Sequence, residues 1–254
     1  MRRSSLVAAA SLLGLALTMT STTSLRAAEL KVLAGGSMTG ALKDLGPQFE
    51  AASGHKVNIQ FGSTPDLIKQ VAAGEPFDLG VVPVDVYKNE AARAKFTAGP
   101  TIDVARVGYG IVVRAGAAKP DISTPDKLKQ ALLAAPSIAY LPESAAGAYV
   151  TSVFERLGIG EAMKAKTKRQ ATPAAIPQAV ANGEAEIGVF LTNVLIAPGV
   201  EPAGSFPAEL QNDLVFSAAV ATDSKQADVA RAFIAFLKTP AAISVLQAKG
   251  LKPG

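Results

Sequence analysis

The chain has 254 residues, 49% hydrophobic and 18% charged, enough to bury the core of one large α/β domain or of two smaller lobes. It contains no cysteine, no tryptophan and one histidine, His55. Those counts exclude disulfide scaffolds, Cys-ligated zinc or iron–sulfur centres, thiol catalysis and paired-His zinc sites. They also leave little for a Ser-His-Asp triad or an aromatic stacking platform.

Arg2 and Arg3 precede an apolar run from Leu6 to Leu17, and a polar stretch then leads to Ala27 and Ala28. This is the layout of a secretory leader, with an apolar run too short to span a bilayer comfortably. It predicts cleavage after Ala27 (leader 1–27) and export of a soluble chain to the periplasm. No cysteine follows the run, so a lipid anchor is not expected. Removing Arg2, Arg3 and Arg26 with the leader leaves 22 basic against 21 acidic residues. The basic pI is therefore largely a property of the leader, and no nucleic-acid partner is expected. The strongest basic cluster, Lys164, Lys166, Lys168 and Arg169, reads as a solvated face.

Strand and helix signals alternate along the remainder. Leu30–Ala34 reads as a strand ending in Gly35-Gly36-Ser37, and Leu42, Leu45 and Phe49 mark one buried helix face up to Ser53-Gly54. Val57–Phe61 alternates like a second strand, and Gly62-Ser63-Thr64-Pro65-Asp66 opens a helix with Leu67, Ile68 and Val71 inward. Phe77–Val82 is near-continuously apolar, as a strand covered on both faces would be. A longer strand follows around 106–114. Then come a helix at Leu128–Leu133, a strand at Ile138–Leu141, a loop at 142–147, and a helix with Val150, Val153, Phe154 and Leu157 inward. Lys168–Gln170, Ala174–Asn182 and Glu186–Leu191 read as strand, helix and strand. A Pro/Gly-rich stretch at 198–207 precedes a second long strand, Leu214–Ala221, and two helices close the chain. Repeated βα units imply parallel strands with helices on both faces. Two long strands that could each cross between β/α groups predict a two-lobed clamp, although a single doubly wound sheet fits the local pattern equally well. In the clamp, residues 28–107 plus 216–254 form the first lobe and 108–215 the second, with the terminal helices packed on the first.

Ligands in such sheets bind beyond the strand ends, where helix N-termini present free N–H groups and partial positive charge. Four junctions qualify: Gly35-Gly36-Ser37, Gly62-Ser63-Thr64, Ser144-Ala145-Ala146-Gly147 and Ala171-Thr172-Pro173. All are small and neutral, which suits an anion held by dipoles and hydrogen bonds rather than by a salt bridge. Ser37 and Ser63 also read as simple helix caps, with Ser63-Thr64-Pro65-Asp66 resembling a capping box.

The segment from Ala34-Gly35-Gly36-Ser37 through Gly62-Ser63-Thr64 to Val82 resembles the first lobe of the periplasmic molybdate-binding proteins of ABC importers. The resemblance continues through PESAAGAYVTSVFERLG, AVANGEAEIGVF and ARAFIAFLKTPAAISVLQAKGL, over nearly all of the chain beyond the leader. It implies a type II periplasmic binding-protein fold, two lobes joined by two crossing strands, and capture of a small oxyanion for a membrane permease. By that resemblance the two oxyanion-binding serines fall on Ser37 and Ser63, and a backbone donor falls on Ala146. Two family contacts are altered. A backbone N–H falls on Pro173, which has none to give, and a tyrosine hydroxyl falls on Leu191. Thr172 stands beside Pro173 as a replacement donor, and Thr192 beside Leu191. The resemblance therefore implies molybdate or tungstate as ligand, with a small organic carboxylate as the alternative that an apolar Leu191 suits.

An enzyme would need a nucleophile–base pair or a carboxylate dyad in the cleft. His55 falls in a turn, Asp78 reads as a loop brace and Asp85 as a helix start, so the chain is expected to be a binding protein without catalysis, metal or cofactor. A periplasmic sensor or adaptor would use the same clamp. The expected partners are the small anion and the permease, and the chain is expected to be monomeric.

Overall fold

The computed structural model describes residues 27–254, so all but the last residue of the expected leader lies outside the described residues. The first elements are β1 (Glu29–Gly35), α1 (Thr39–Ser53), β2 (Lys56–Gly62), α2 (Thr64–Ala73) and β3 (Leu79–Pro83). Two short helices, α3 (Asp85–Lys88) and α4 (Glu90–Arg93), lead to β4 (Ile102–Val107) and β5 (Tyr109–Arg114). Next come α5 (Pro125–Ala134), β6 (Ile138–Tyr140), α6 (Ala145–Arg156), α7 (Gly160–Lys166), β7 (Thr167–Arg169), α8 (Ala175–Ala181) and β8 (Ile187–Leu191). The chain ends with β9 (Val200–Ser205), β10 (Leu214–Val220), α9 (Ala227–Leu237), α10 (Pro240–Ala248) and β11 (Lys252–Pro253).

These strands form two sheets, ordered β11-β4-β10-β3-β1-β2 and β7-β6-β8-β5-β9. The molecule is two-lobed. Each sheet is mixed rather than mostly parallel: β1 pairs in parallel with β2 and β3, and β6 with β7 and β8, while β4, β5, β9, β10 and β11 all pair antiparallel. The reason is the connectivity. β5 and β10 each arrive from the other lobe and enter from the opposite end, so the strands beside them pair with them antiparallel. Neighbours joined through a helix run parallel.

Turn chemistry sets the boundaries of the first units. Gly54 and Gly74 close α1 and α2 in the left-handed conformation, at φ +73° and +78°. On one face of the first sheet, α1 and α9 interlock through Phe49 and Phe233, whose rings meet edge-on at 4.9 Å. On the other, Leu67 and Val71 of α2 pack with Val82 and Phe96 in a separate cluster. Asp78, 9% exposed in the loop before β3, accepts from Lys31 N–H of β1 at 2.9 Å and from the Ser224 hydroxyl at 2.7 Å.

Three segments differ from the sequence reading. The long strand at 106–114 is two strands in different sheets, broken at Gly108. Residues 145–147 begin α6 rather than a loop, because the Ser144 hydroxyl caps it by accepting from Gly147 N–H at 2.9 Å. The Pro/Gly-rich stretch holds edge strand β9, where Pro202 and Gly204 (φ +157°) are tolerated because only one side pairs. The helix α7 also lacked a sequence signal, being only seven residues long.

The two crossings run side by side, β4–Gly108–β5 beside the segment joining β9 to β10. Gln211 in that segment clamps them. Its Oε1 accepts from Tyr109 N–H and its Nε2 donates to the Tyr109 carbonyl, both at 2.8 Å, so one side chain imitates a paired strand. Gly108 leaves room for this clamp, since a Cβ would lie 2.9 Å from Gln211 Oε1 and push the amide aside.

Candidate functional site

The lobes meet around a cavity of about 30 Å³. Ser37, Ser63, Thr64, Ser144 and Ala146 line it, with Phe190 and Phe216 among its apolar walls. Each polar residue stands at or beside a helix start. Gly36–Met38 form a 3-10 turn running into α1, Ser63 is the N-cap of α2, and Ser144 is the N-cap of α6, with Ala146 in that helix's first turn. First-turn N–H groups have no carbonyl within their own helix to bond, so three such starts aim donors and partial positive charge at one point. No Asp, Glu, Lys, Arg or His lines the cavity.

The two serines are not equivalent. The Ser63 hydroxyl accepts from Asp66 N–H at 3.3 Å and donates to Asp66 Oδ2 at 2.5 Å. The expected capping box is thus altered: the carboxylate takes the cap's hydroxyl proton instead of its backbone N–H. The Ser37 hydroxyl has no hydrogen-bond partner among the described residues, although its carbonyl accepts from Asn193 Nδ2 at 2.8 Å.

Pro173 also lines the cavity, and Gly36 faces it from the first lobe. A Cβ on Gly36 would lie 3.6 Å from Pro173 Cγ, so backbone meets pyrrolidine ring across the cleft. Thr172 lies outside this cavity, in an adjoining interlobe groove of about 750 Å³ that shares Ser37, Ser63 and Pro173 with it. Leu191 lines neither space. It is fully buried and paired with Tyr109 across the β5–β8 ladder. Successive strand residues face opposite sides, so the ring at the cavity belongs to Phe190 instead.

Thr64 and Ser144 belong to two of the junctions marked in the sequence, whereas Phe190 and Asn193 carry no such mark. Ser144 carried a helix-cap signal, but Asn193 carried none, being brought to Ser37 by the docking of the lobes. His55 accepts from Ala28 N–H at 3.2 Å and ties the chain start to the turn before β2. The basic cluster is bonded locally: Lys164 to Glu161 at 2.6 Å, Arg169 to Glu143 at 3.0 Å, and Lys166 to the Leu133 carbonyl. No single helix among the described residues is long and apolar enough to cross a membrane.

Residues 30–252 match the family model for bacterial extracellular solute-binding proteins. The chain belongs to that family. Among curated relatives of this solute-binding protein, an aconitate isomerase of Pseudomonas sp. is 31% identical, over 88% of this chain and 87% of its own. The molybdate-binding protein ModA of Azotobacter vinelandii is 30% identical, over 89% and 90%. The solved structure of the periplasmic molybdate-binding protein from Azotobacter vinelandii superposes with a TM-score of 0.73 at 21% identity, covering 89% of this chain and 99% of that one. The solute-binding protein is thus a divergent relative of the molybdate-binding proteins, with the same two-lobed periplasmic binding-protein fold.

Proposed function

We propose that this solute-binding protein is the periplasmic capture component of an ABC importer. In this reading its lobes, divided near residues 107 and 215, close as a monomer on a small oxyanion of molybdate or tungstate type and deliver it to a membrane permease. The observation that carries the reading is the convergence of three helix starts, with Ser37, Ser63 and Ala146, on a small cavity without an ionisable side chain. Fixed dipoles in a closed site hold an anion without a counter-charge that would have to be broken for release. Two molybdate-binding relatives at 27–30% identity support the same ligand class.

A second reading, a small organic carboxylate, is favoured by one observation. The 750 Å³ groove opens from the same serines and offers room for a carbon skeleton that a bare oxyanion does not need. The aconitate isomerase relative supports that ligand class. The Ser63–Asp66 contact at the groove would serve proton transfer if the chain acted on such a ligand, and mixing cis- or trans-aconitate with the protein would show interconversion in that case.

The deciding experiment is a thermal-shift panel of molybdate, tungstate, sulfate and phosphate against aconitate, citrate and simple monocarboxylates. A ligand at 100 times its Kd adds about 2.7 kcal/mol to the folded state. At this size that is a shift of roughly 5–10 °C. A shift with molybdate and tungstate supports the first reading. A shift with carboxylates alone replaces the oxyanion and keeps the fold. Pro173→Ala is expected to strengthen oxyanion binding about tenfold by restoring an N–H donor at the cavity wall, measured by titration calorimetry.

A further inference from the structure

A second cavity lies between the lobes on the hinge side, about 840 Å³ in volume, within the range of small-molecule sites. Thr64 and Ser144 line both it and the central cavity. The interlobe hydrogen bond from Ala145 N–H to Thr64 Oγ1, 3.4 Å long, stands where the two spaces adjoin. The chemistry differs sharply between them. The central cavity has no ionisable lining, whereas the hinge-side cavity is faced by three carboxylates, Asp85, Glu143 and Asp213, and a single cation, Lys88.

The aromatic wall makes this more than an acidic cleft. Tyr109 is 1% exposed and lines the cavity, yet its hydroxyl has no hydrogen-bond partner among the described residues. Its backbone is paired with Gln211 and with Phe206 N–H, so only the hydroxyl is left to face the cavity. Tyr149 lies beside Tyr109, ring centroids 4.7 Å apart and planes tilted by 38°, and is anchored by donating its own hydroxyl to the Leu210 carbonyl at 3.0 Å. The Tyr109 hydroxyl is not sealed in the core but opens onto the cavity, where an occupant can bond it. Burial raises the Tyr109 phenol above the usual tyrosine range, and Tyr149, Asp85 and Asp213 push the same way. The hydroxyl therefore stays protonated in a negative field, a neutral group able to accept from a cation.

We infer that the hinge-side cavity is a binding site for a small organic amine, its ammonium met by Asp85, Asp213 and the Tyr109 hydroxyl and its flat apolar body packed on Tyr149. The carboxylates' own cation partners do not fill this role. Lys252 holds Asp213 at 3.1 Å but does not line the cavity, and Lys88 holds Asp85 at 2.7 Å from a largely exposed position. Such exposed pairs are weak and yield readily to a better-placed, less solvated charge. An aromatic ring beside an ammonium adds a cation–π contact. Both lobes contribute walls, so an occupant also bridges them.

The test is titration calorimetry of the protein with tyramine and benzylamine, beside benzyl alcohol as the neutral match and phenylacetate as the anionic one. The expected result is saturable binding of one amine per chain, weakening with salt, and no comparable binding of the alcohol or the anion. Asp85→Asn and Asp213→Asn should each weaken tyramine binding about tenfold, as expected for one charge-assisted contact. Tyr109→Phe keeps the ring and the core packing, and should weaken it as well. Absence of saturable amine binding overturns the inference. So does amine binding no tighter than that of benzyl alcohol, or binding retained by the folded Asp85→Asn/Asp213→Asn double variant.

Discussion

Ser37 and Ser63 follow the first two strands at equivalent places, yet they carry different duties. Ser63 caps α2 and shares its proton with Asp66, so its side chain holds structure as well as lining the cavity. Ser37 caps nothing, and its hydroxyl is uncommitted among the described residues. Ser63→Ala is therefore expected to cost about 1 kcal/mol of stability, a fall in Tm of about 2–4 °C. Ser37→Ala should leave Tm unchanged. Each should weaken anion binding about tenfold or more, because a hydrogen bond to a charged group is lost, and calorimetry beside thermal melts separates the two effects. Leu191 behaves differently from what its position along the chain implied. Leu191→Tyr adds bulk and a hydroxyl to the core rather than to the site, and is expected to destabilise by about 1–3 kcal/mol without improving anion affinity, again read by melts and calorimetry.

At the scale of elements, the hinge is the feature that local pattern understated. VGYGIVVR reads as one continuous strand, but it breaks at Gly108: Val107 ends β4 in one sheet and Tyr109–Arg114 form β5 in the other. Gly108 lets Gln211 approach, and the Gln211 amide then holds Tyr109 by both backbone groups. Gln211→Ala frees the Tyr109 N–H to exchange with solvent, while its carbonyl keeps Phe206 N–H, and loosens one crossing from the other. The expected outcome is a loss of about 1–3 kcal/mol in stability and faster amide exchange at Tyr109, measured by hydrogen exchange. The helix start at Ser63 was legible because a cap writes its signal within three residues, whereas 142–147 read as a loop although Ser144 caps α6. The edge strand β9 was not legible, because Pro202 and Gly204 carry turn signals that only the one-sided pairing at a sheet edge overrides.

For the whole molecule, closure rests on a few contacts between lobes. Asn193 donates to the Ser37 carbonyl at 2.8 Å, Ala145 N–H donates to Thr64, and Ile196 comes close to Gly250. None of these involves a charged pair, so closure is balanced by small terms and a ligand tips it by its differential affinity. Asn193→Ala removes the latch while leaving the serines in place. It is expected to weaken anion affinity about tenfold through a lower closed population, with a larger radius of gyration in ligand-free scattering. Unchanged scattering and affinity would show that Asn193 plays no part in closure.

The residue pattern by itself determined the alternation of strands and helices, the capped helix start at Ser63, and the small neutral junctions that suit an anion. All of these are written within a few residues, in hydrophobic period, caps and glycines. Only the tertiary structure decided that 106–114 divides between two sheets, that Phe190 rather than Leu191 faces the cavity, and that Asn193 reaches Ser37 from 156 positions away. Those facts depend on which elements meet. Which face of a strand turns inward, and which residues converge across a cleft, is set by the packing of distant parts of the chain, and no local period encodes it.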